Sequence, residues 1–258
     1  MGPDRLTQVF DDQALAYDRF RPAYPTAILD SFMELTGLKA GDSLLEFGCG
    51  TGQLTLDLLK RGVNVLAIEK GAKLAEVAQK NFEDYPSARV VTAKFEDWQP
   101  EEKFDSFVAA QAFHWVDKQV GLDKVFELLK ETGTMGLIWN VDISQETEFW
   151  KKTQPVYNTF LPSSSPKGRE KHAVDEFEDY VSSREDFGPV QRVAHKWEKT
   201  FDKESFLGLL STFSNHMVLA PDHRKAFFER IGTLIDAQGG QVERYYKTVL
   251  LFSRKLLA

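Results

Sequence analysis

The stretch between Ser43 and Gly62 restricts this chain more than any other. Residues 43–47, Ser-Leu-Leu-Glu-Phe, form a short apolar run carrying one acid, Glu46. Gly48, Gly50 and Gly52 follow, two apart, and then Leu54, Leu56, Leu58 and Leu59 lead to Lys60, Arg61 and Gly62. An apolar run, a glycine turn and a stretch at helical spacing that ends in cations and glycine read as strand, turn and helix. Glycines at such a turn let a ligand approach the backbone, because no Cβ blocks it. They also bring it to the amide groups that the start of a helix leaves unpaired.

Spacing narrows the ligand. A dinucleotide fingerprint needs glycine at its first, third and sixth positions, and counting from Gly48 the sixth is Gln53. No Gly-Lys-Ser/Thr follows, which excludes a Walker-type phosphate loop. The turn alone is compatible with an unrelated tight bend.

The rest of the chain supplies context. Residues 63–69, Val-Asn-Val-Leu-Ala-Ile-Glu, are almost continuously apolar, as a buried parallel strand should be. Glu69 ends that strand 17 residues after Gly52 and is placed to accept hydrogen bonds from ribose hydroxyls. The competing reading is an acid favoured at a helix start by the dipole. A helix over 72–82, a strand over 88–93, a strand over 104–110, a helix over 121–130 and a strand over 133–139 continue the alternation. Before the first strand, 26–38 reads as a helix capped by Thr26 and ended by Gly37. After residue 189 come a sixth strand (190–201), a helix capped by Asp202, a helix over 222–237 and a seventh strand (242–253). This pattern predicts an α/β fold: a doubly wound, seven-stranded, mostly parallel sheet whose last strand is antiparallel.

Two segments stand outside the alternation. Residues 1–25 form an N-terminal arm with Phe10, Tyr17, Phe20 and Tyr24 beside Pro22 and Pro25. It either covers a sheet edge or closes over a ligand. Residues 140–189 form a helical insertion after strand five, interrupted by Pro-Ser-Ser-Ser-Pro at 162–166 and expected to act as a substrate lid. The full span, 1–258, is expected to be a single domain.

Composition excludes several classes. The chain has 258 residues, a formal net charge of −7 and no block of Lys/Arg, so phosphate-backbone electrostatics give it little hold on nucleic acid. Cys49 is the single cysteine, which rules out an internal disulfide and fits a reducing compartment. The five histidines show no metal-ligand spacing. No apolar run reaches membrane-spanning length and no signal-peptide pattern opens the chain, so a cytoplasmic enzyme without nucleic-acid, membrane or metal partners is expected.

Taken with Glu46, the Gly-x-Gly-x-Gly run at 48–52 resembles motif I of the class I S-adenosylmethionine-dependent methyltransferases. Phe95-Glu96-Asp97-Trp98 and Gln111-Ala-Phe-His-Trp115 are similar to later motifs of the small-molecule subgroup (trans-aconitate-methyltransferase-like, methyltransferase type 11). The arm segment Tyr17-Asp-Arg-Phe-Arg21-Pro-Ala-Tyr-Pro25 is similar to the entry segment of such enzymes. The resemblance covers 43–117 well and the remainder less specifically. It implies a Rossmann-like methyltransferase fold, with S-adenosylmethionine as methyl donor and S-adenosylhomocysteine as product. It also implies a small-molecule acceptor, for which oxygen, in a carboxylate or a hydroxyl, is the expected site, with nitrogen and carbon left open.

The cofactor site implied comprises Tyr17, Arg21, Glu46, Gly48, Gly50, Gly52, Glu69, Phe95, Glu96, Gln111 and Trp115. In it Tyr17 and Arg21 approach the donor's carboxylate, Phe95 packs the adenine and Glu96 lies near its exocyclic nitrogen. Plain core packing is the competing role for Phe95. Trp115 would face the sulfonium through cation–π attraction. His114 is the candidate base, or else a positioning or capping residue. The sequence departs from the commonest family form at Lys94, where an Asp is often found. Two alternatives remain open at this point: a nucleotide-dependent oxidoreductase, disfavoured by Gln53, and a cofactor-binding interaction protein without catalysis.

Overall fold

The computed structural model describes residues 11, 13–161 and 169–256. The first ten arm residues, Phe10 among them, and the 162–166 interruption of the insertion therefore lie outside the described residues. Among the described residues, β1 (Ser43–Phe47), β2 (Asn64–Glu69), β3 (Ala88–Thr92), β4 (Phe104–Ala110), β5 (Leu129–Asp142), β6 (Gln191–Asp202) and β7 (Gln241–Arg254) form one sheet in the order β3-β2-β1-β4-β5-β7-β6. Strands β1 to β5 pair in parallel, and β7 runs antiparallel to both β5 and β6. This is the expected doubly wound, mostly parallel sheet with its last strand reversed. The chain works outward from β1 to β3 and then returns to β4 beside β1. That reversal opens the crevice in which α/β sheets hold ligands.

Helices clothe both faces. Leu44, Val65, Val108 and Ile138 point to one side, against Ile28, Leu29 and Phe32 of α2 (Thr26–Thr36), Leu58 of α3 (Thr55–Lys60) and Ala78 of α4 (Ala72–Asn81). Leu45, Leu66, Phe107 and Leu137 point to the other. They meet Leu122 and Val125 of α5 (Lys118–Leu128) and Val174 and Phe177 of α7 (Arg169–Ser182). Neighbours in a strand face opposite sides, so a sheet covered twice needs apolar residues at successive positions.

A third core sits at the end of the sheet. Val156 and Tyr157 of α6 (Glu148–Phe160), Leu209 and Leu210 of α8 (Lys203–Ser211) and Phe227, Ile231 and Ile235 of α9 (Pro221–Asp236) pack with Val242 and Tyr246 of β7. Tyr246 pairs with Asp142, the last residue of β5. This helical cap therefore stands over the C-terminal end of β5. The arm helix α1 (Ala14–Phe20) docks on it. A Cβ at Gly208 would lie 2.6 Å from the Phe20 ring, so glycine is what admits the contact.

Several boundaries differ from the sequence reading. Thr26 does not cap α2: Pro25 occupies the cap position in extended conformation, and Thr26 is already helical. Gly37 does end that helix, at φ 73°. Helix α5 starts at Lys118 rather than 121, because the Asp117 carboxylate accepts from the amides of Gln119 (3.0 Å) and Val120 (3.1 Å). Strand β5 begins at Leu129 and takes in residues 140–142, which were expected in the insertion, since antiparallel pairing with β7 extends it through Asp142. Asp202 caps α8 as expected, accepting from Ser205 N at 2.7 Å.

Candidate active site

The glycine turn adopts the conformation its composition requires. Gly48, Gly50 and Gly52 have φ of 67°, 59° and 99°, a region from which other residues are largely barred. Packing adds a second reason. A Cβ would fall 2.4 Å from Ala112 Cβ at Gly48 and 2.3 Å from the Phe82 ring at Gly52. The turn is thus wedged between the end of β4 and the end of α4. The helix it feeds, α3, starts only at Thr55.

Two buried acids hold this turn. Glu46, 1% exposed, accepts the Thr55 hydroxyl at 2.6 Å. Burial pushes its carboxyl up to about 7, against the Thr55 hydrogen bond, with the nearby Glu69 charge adding to the rise. Glu69, at the end of β2, accepts from Gly50 N at 2.9 Å through Oε2 and from Gly71 N at 2.8 Å through Oε1. Burial raises its pKa, and those amide bonds oppose the rise. The amide of Lys70 bonds the same carboxylate, so three backbone N–H groups hold it in place.

The arm closes over the turn and is tied to both halves of the molecule. Asp11 accepts from the amides of Lys73 (2.5 Å) and Leu74 (3.0 Å), so it caps α4, whose own N-cap is the glycine Gly71. Asn81 donates to Asp18 Oδ1 and to Thr51 O, both at 2.9 Å. The Tyr17 ring lies 3.1 Å from where a Gly50 Cβ would be. Arg21 donates through Nε to Thr212 Oγ1 (2.9 Å) and through Nη2 to Thr212 O (2.8 Å). Its guanidinium stands 5.0 Å from the Tyr17 ring and 4.8 Å from the Phe213 ring.

The end of β4 contributes Gln111, which has φ 55° and donates through Nε2 to Asn140 O at 2.9 Å. Positive φ in a residue of this size stores roughly 1 kcal/mol or more of strain, which is commonly retained at ligand sites. His114 and Trp115 occupy the 3-10 turn Phe113–Trp115, are exposed, and tilt against each other at 4.9 Å. Protein around the base of His114 lowers its pKa from the ordinary imidazole value, though its open ring limits that effect. The structure places Phe95 in the core: it is 1% exposed and its ring meets Phe47 at 4.8 Å and Phe107 at 5.9 Å, leaving almost no face for a ligand. Glu96 is half-buried, 4.0 Å from Lys94 Nζ, and its carbonyl accepts from Lys124 at 3.0 Å. Lys94 also lies 3.9 Å from Asp97.

Beside the turn lies a recess lined by Tyr17, Tyr24, Gln53 and Gln111 on one side and by Asn140, Asp142, Phe213, Arg244 and Tyr246 on the other, with Arg21 between them. Its cavity of about 50 Å³ has room for a water or two at roughly 30 Å³ each. Arg244, 7% exposed, is ion-paired with Asp142. Burial opposes ionisation of Asp142, but the Arg244 charge and the Ser144 hydrogen bond hold its carboxyl below the usual range. Of the expected residues the recess gathers Tyr17, Arg21 and Gln111, with the glycines and Glu69 behind Tyr17. His114, Trp115, Phe95 and Glu96 do not line it.

Sequence reasoning missed Asp11, Asn140, Asp142, Thr212, Phe213, Arg244 and Tyr246. Asn140 and Asp142 did leave a trace, as alternating polar residues closing an apolar strand. Arg244 shares a Tyr/Val-rich strand with Lys247 and Arg254, and nothing in the sequence sets it apart from them. Among the described residues no group of His, Cys, Asp and Glu forms a metal site, and no helix is long and apolar enough to cross a membrane.

A reversed-end, seven-stranded sheet with a glycine turn at its switch point and a polar recess beside it is the Rossmann-like methyltransferase fold. Residues 44–133 match the family model described as a methyltransferase domain. The chain is a methyltransferase, similar in sequence and fold to class I S-adenosylmethionine-dependent enzymes. An uncharacterized methyltransferase of Mycobacterium tuberculosis is 26% identical over 85% of this chain and 82% of its own length. A malonyl-[acyl-carrier protein] O-methyltransferase of Ilyobacter polytropus is 27% identical over 50% of this chain and 49% of its own. In fold, the chain is similar to a candidate type II methyltransferase from Anaeromyxobacter dehalogenans. The TM-score is 0.66 at 22% identity, covering 93% of this chain and all (100%) of that one.

Proposed function

We propose that the protein transfers the methyl group of S-adenosylmethionine to an oxygen of a small-molecule acceptor. The observation that carries this reading is that the glycine turn and the recess share a wall: Tyr17 touches Gly50 and also lines the recess with Gln53 and Gln111. A donor at the turn would present its reactive end to a molecule in the recess. The residues fit such a donor. Glu69 is a buried acid at the end of β2 beside the turn, the glycines expose backbone, and Arg21 stands near with a cationic fork.

S-adenosylmethionine supplies an activated sulfonium methyl when bound. The new bond joins acceptor oxygen to carbon, the carbon–sulfur bond breaks, and its electron pair stays on sulfur. The protein's contribution is alignment: Gln111, fixed on Asn140, and Tyr17, packed on the turn, restrict how the acceptor can approach. An ionised carboxylate needs no base, which suits the position of His114 outside the recess lining. Support for oxygen comes from the polar, cationic lining and from the O-methyltransferase relative. Helix α6, part of the cap beyond β5, acts as the acceptor-side lid in this reading, whereas α7 of the same insertion covers a sheet face. A single buried cysteine fits work in the cytoplasm.

The test has two stages. Calorimetry should show S-adenosylhomocysteine binding. Incubation of a metabolite extract with protein and isotope-labelled donor should then give a product one methyl heavier whose label is released by mild alkaline ester hydrolysis. A labelled product that resists hydrolysis would point to nitrogen, carbon or an ether oxygen, and no donor binding would sink the reading.

A further inference from the structure

The sheet ends on a strand whose outer edge has no partner among the described residues. β6, 12 residues long, is last in the strand order and pairs with β7 alone. Which of its backbone groups point outward follows from the far side of β7. Tyr245 turns both its groups toward the β5 side, its carbonyl accepting from Ile143 N at 2.9 Å and its amide donating to Ser144 Oγ at 3.0 Å. Direction alternates along an antiparallel strand, so Tyr246 bonds to β6, at its partner Trp197. The register between β6 and β7 runs without a shift, so Trp197 and the other odd-numbered residues of β6 bond to β7. Ala194, Lys196, Glu198 and Thr200 therefore present their N–H and C=O groups outward.

The side chains at those four positions are exposed. The alternate ones face the protein: His195 Nε2 lies 3.3 Å from Ser31 Oγ of α2, and the Trp197 ring stacks on Tyr246 at 4.4 Å. A long open edge is a template for another strand, and lysines placed on it ordinarily repel one. Here Lys196 is followed two residues later by Glu198, and neither has an ion-pair partner among the described residues.

We propose that β6 pairs antiparallel with β6 of a second copy of this chain, about a two-fold axis at Trp197. Outward groups must meet outward groups, so the possible registers differ by steps of two residues. With the axis at Trp197, Lys196 faces Glu198 of the copy, Glu198 faces Lys196 of the copy, and Ala194 faces Thr200. In that register no Lys or Arg faces another and no acid faces another. Arg192 comes opposite Asp202, although each keeps its partners within its own chain. Moving the axis to Lys196 or to Glu198 sets like charges directly opposite, and wider slips shorten the ladder. Exposed ion pairs are weak, so they choose the register, while roughly ten backbone hydrogen bonds, two per bonded pair, supply the hold. The glycine turn after β1 lies four sheet positions from this edge, so it stays open in both copies.

Sedimentation velocity on the full chain, from about 1 to about 300 µM, should show a monomer–dimer equilibrium in the micromolar range. Lys196→Glu sets acid against acid twice, and Glu198→Lys sets lysine against lysine twice. Each should weaken the dimer at least about tenfold. The double exchange Lys196→Glu/Glu198→Lys restores both pairs and should return the affinity to within about threefold of wild type. Ala194→Pro removes an N–H that points away from β7, so it should abolish pairing with little change in melting temperature. Should the proline variant fail to fold, the three charge variants still decide the matter.

Hydrogen exchange reads the register. The amides of Ala194, Lys196, Glu198 and Thr200 should slow as concentration rises, and those of Val193, His195 and Trp197, bonded within the chain, should change much less. A protein that stays monomeric to about 300 µM would overturn the proposal and leave the edge to a different strand or to water. So would a dimer that neither single exchange weakens, one that the double exchange does not recover, or one whose outward amides exchange as fast as in the monomer. In each of those cases the copies meet on another surface.

Discussion

Replacing Glu46 by Gln should make the protein more stable as pH rises, relative to wild type. Glu46 is 1% exposed and its carboxyl is raised from the ordinary 4.5 to about 7, chiefly by burial. The folded protein therefore holds this proton more tightly than the unfolded chain does. The contribution is fully present below about pH 4.5 and is lost as pH rises through about 7. At ~1.4 kcal/mol per pH decade, the complete loss is about 3 kcal/mol, of which roughly 2–3 kcal/mol falls between pH 5 and 8.

Glutamine has the same shape, can still accept the Thr55 hydroxyl, and does not titrate. An offset from its extra N–H donors does not change with pH. Glu69 is raised by burial too, but it titrates in both proteins and largely cancels in the difference. Urea melts of the two proteins at pH 5, 6.5 and 8 measure the gap, which should move in favour of the variant by roughly 2–3 kcal/mol across that range. A gap constant to within about 0.5 kcal/mol would show that Glu46 ionises freely in the fold, and the burial argument for it would be wrong.

Gly48→Ala combines a φ of 67° with a 2.4 Å clash on Ala112, so it should cost about 2–4 kcal/mol in denaturant melts. Gly239→Ala, at φ 97° in open space, should cost only about 1 kcal/mol; equal costs would discount the clash. Gln111→Gly should leave stability unchanged or higher while lowering turnover, because the strain at φ 55° is relieved as the contact to Asn140 is lost; a stability loss above about 1 kcal/mol would mean the strain is absent. Arg21→Ala removes both bonds to Thr212 and should speed hydrogen exchange across residues 14–24 severalfold, with exchange in β1 as the unmoved control. His114→Ala should leave turnover of a carboxylate acceptor within about threefold, whereas a drop of roughly a hundredfold would make it a base for a hydroxyl.

The nucleotide half was legible because its signals are local. Gly48, Gly50 and Gly52 needed no partner to be recognised, since their backbone conformation is a property of the residues themselves. Continuous apolar runs marked strands covered on both faces, and Glu69 marked the end of the second. Phe95 shows the limit: an aromatic after a strand looks the same whether it meets a ligand or the core, and packing against Phe47 and Phe107 decided it. The edge of the insertion was misplaced for a similar reason, since only pairing with β7 shows that residues 140–142 are strand.

The sequence by itself determined the sheet and the glycine turn at its switch point, because periodicity and glycine conformation act over a few residues, whereas only the structure shows that Glu69 and Glu46 steady that turn. The recess was decided by tertiary structure alone. Asp142 and Arg244 are 102 positions apart and Arg21 and Thr212 are 191, and such pairs meet only when β7 inserts beside β5 and the arm folds back onto the cap.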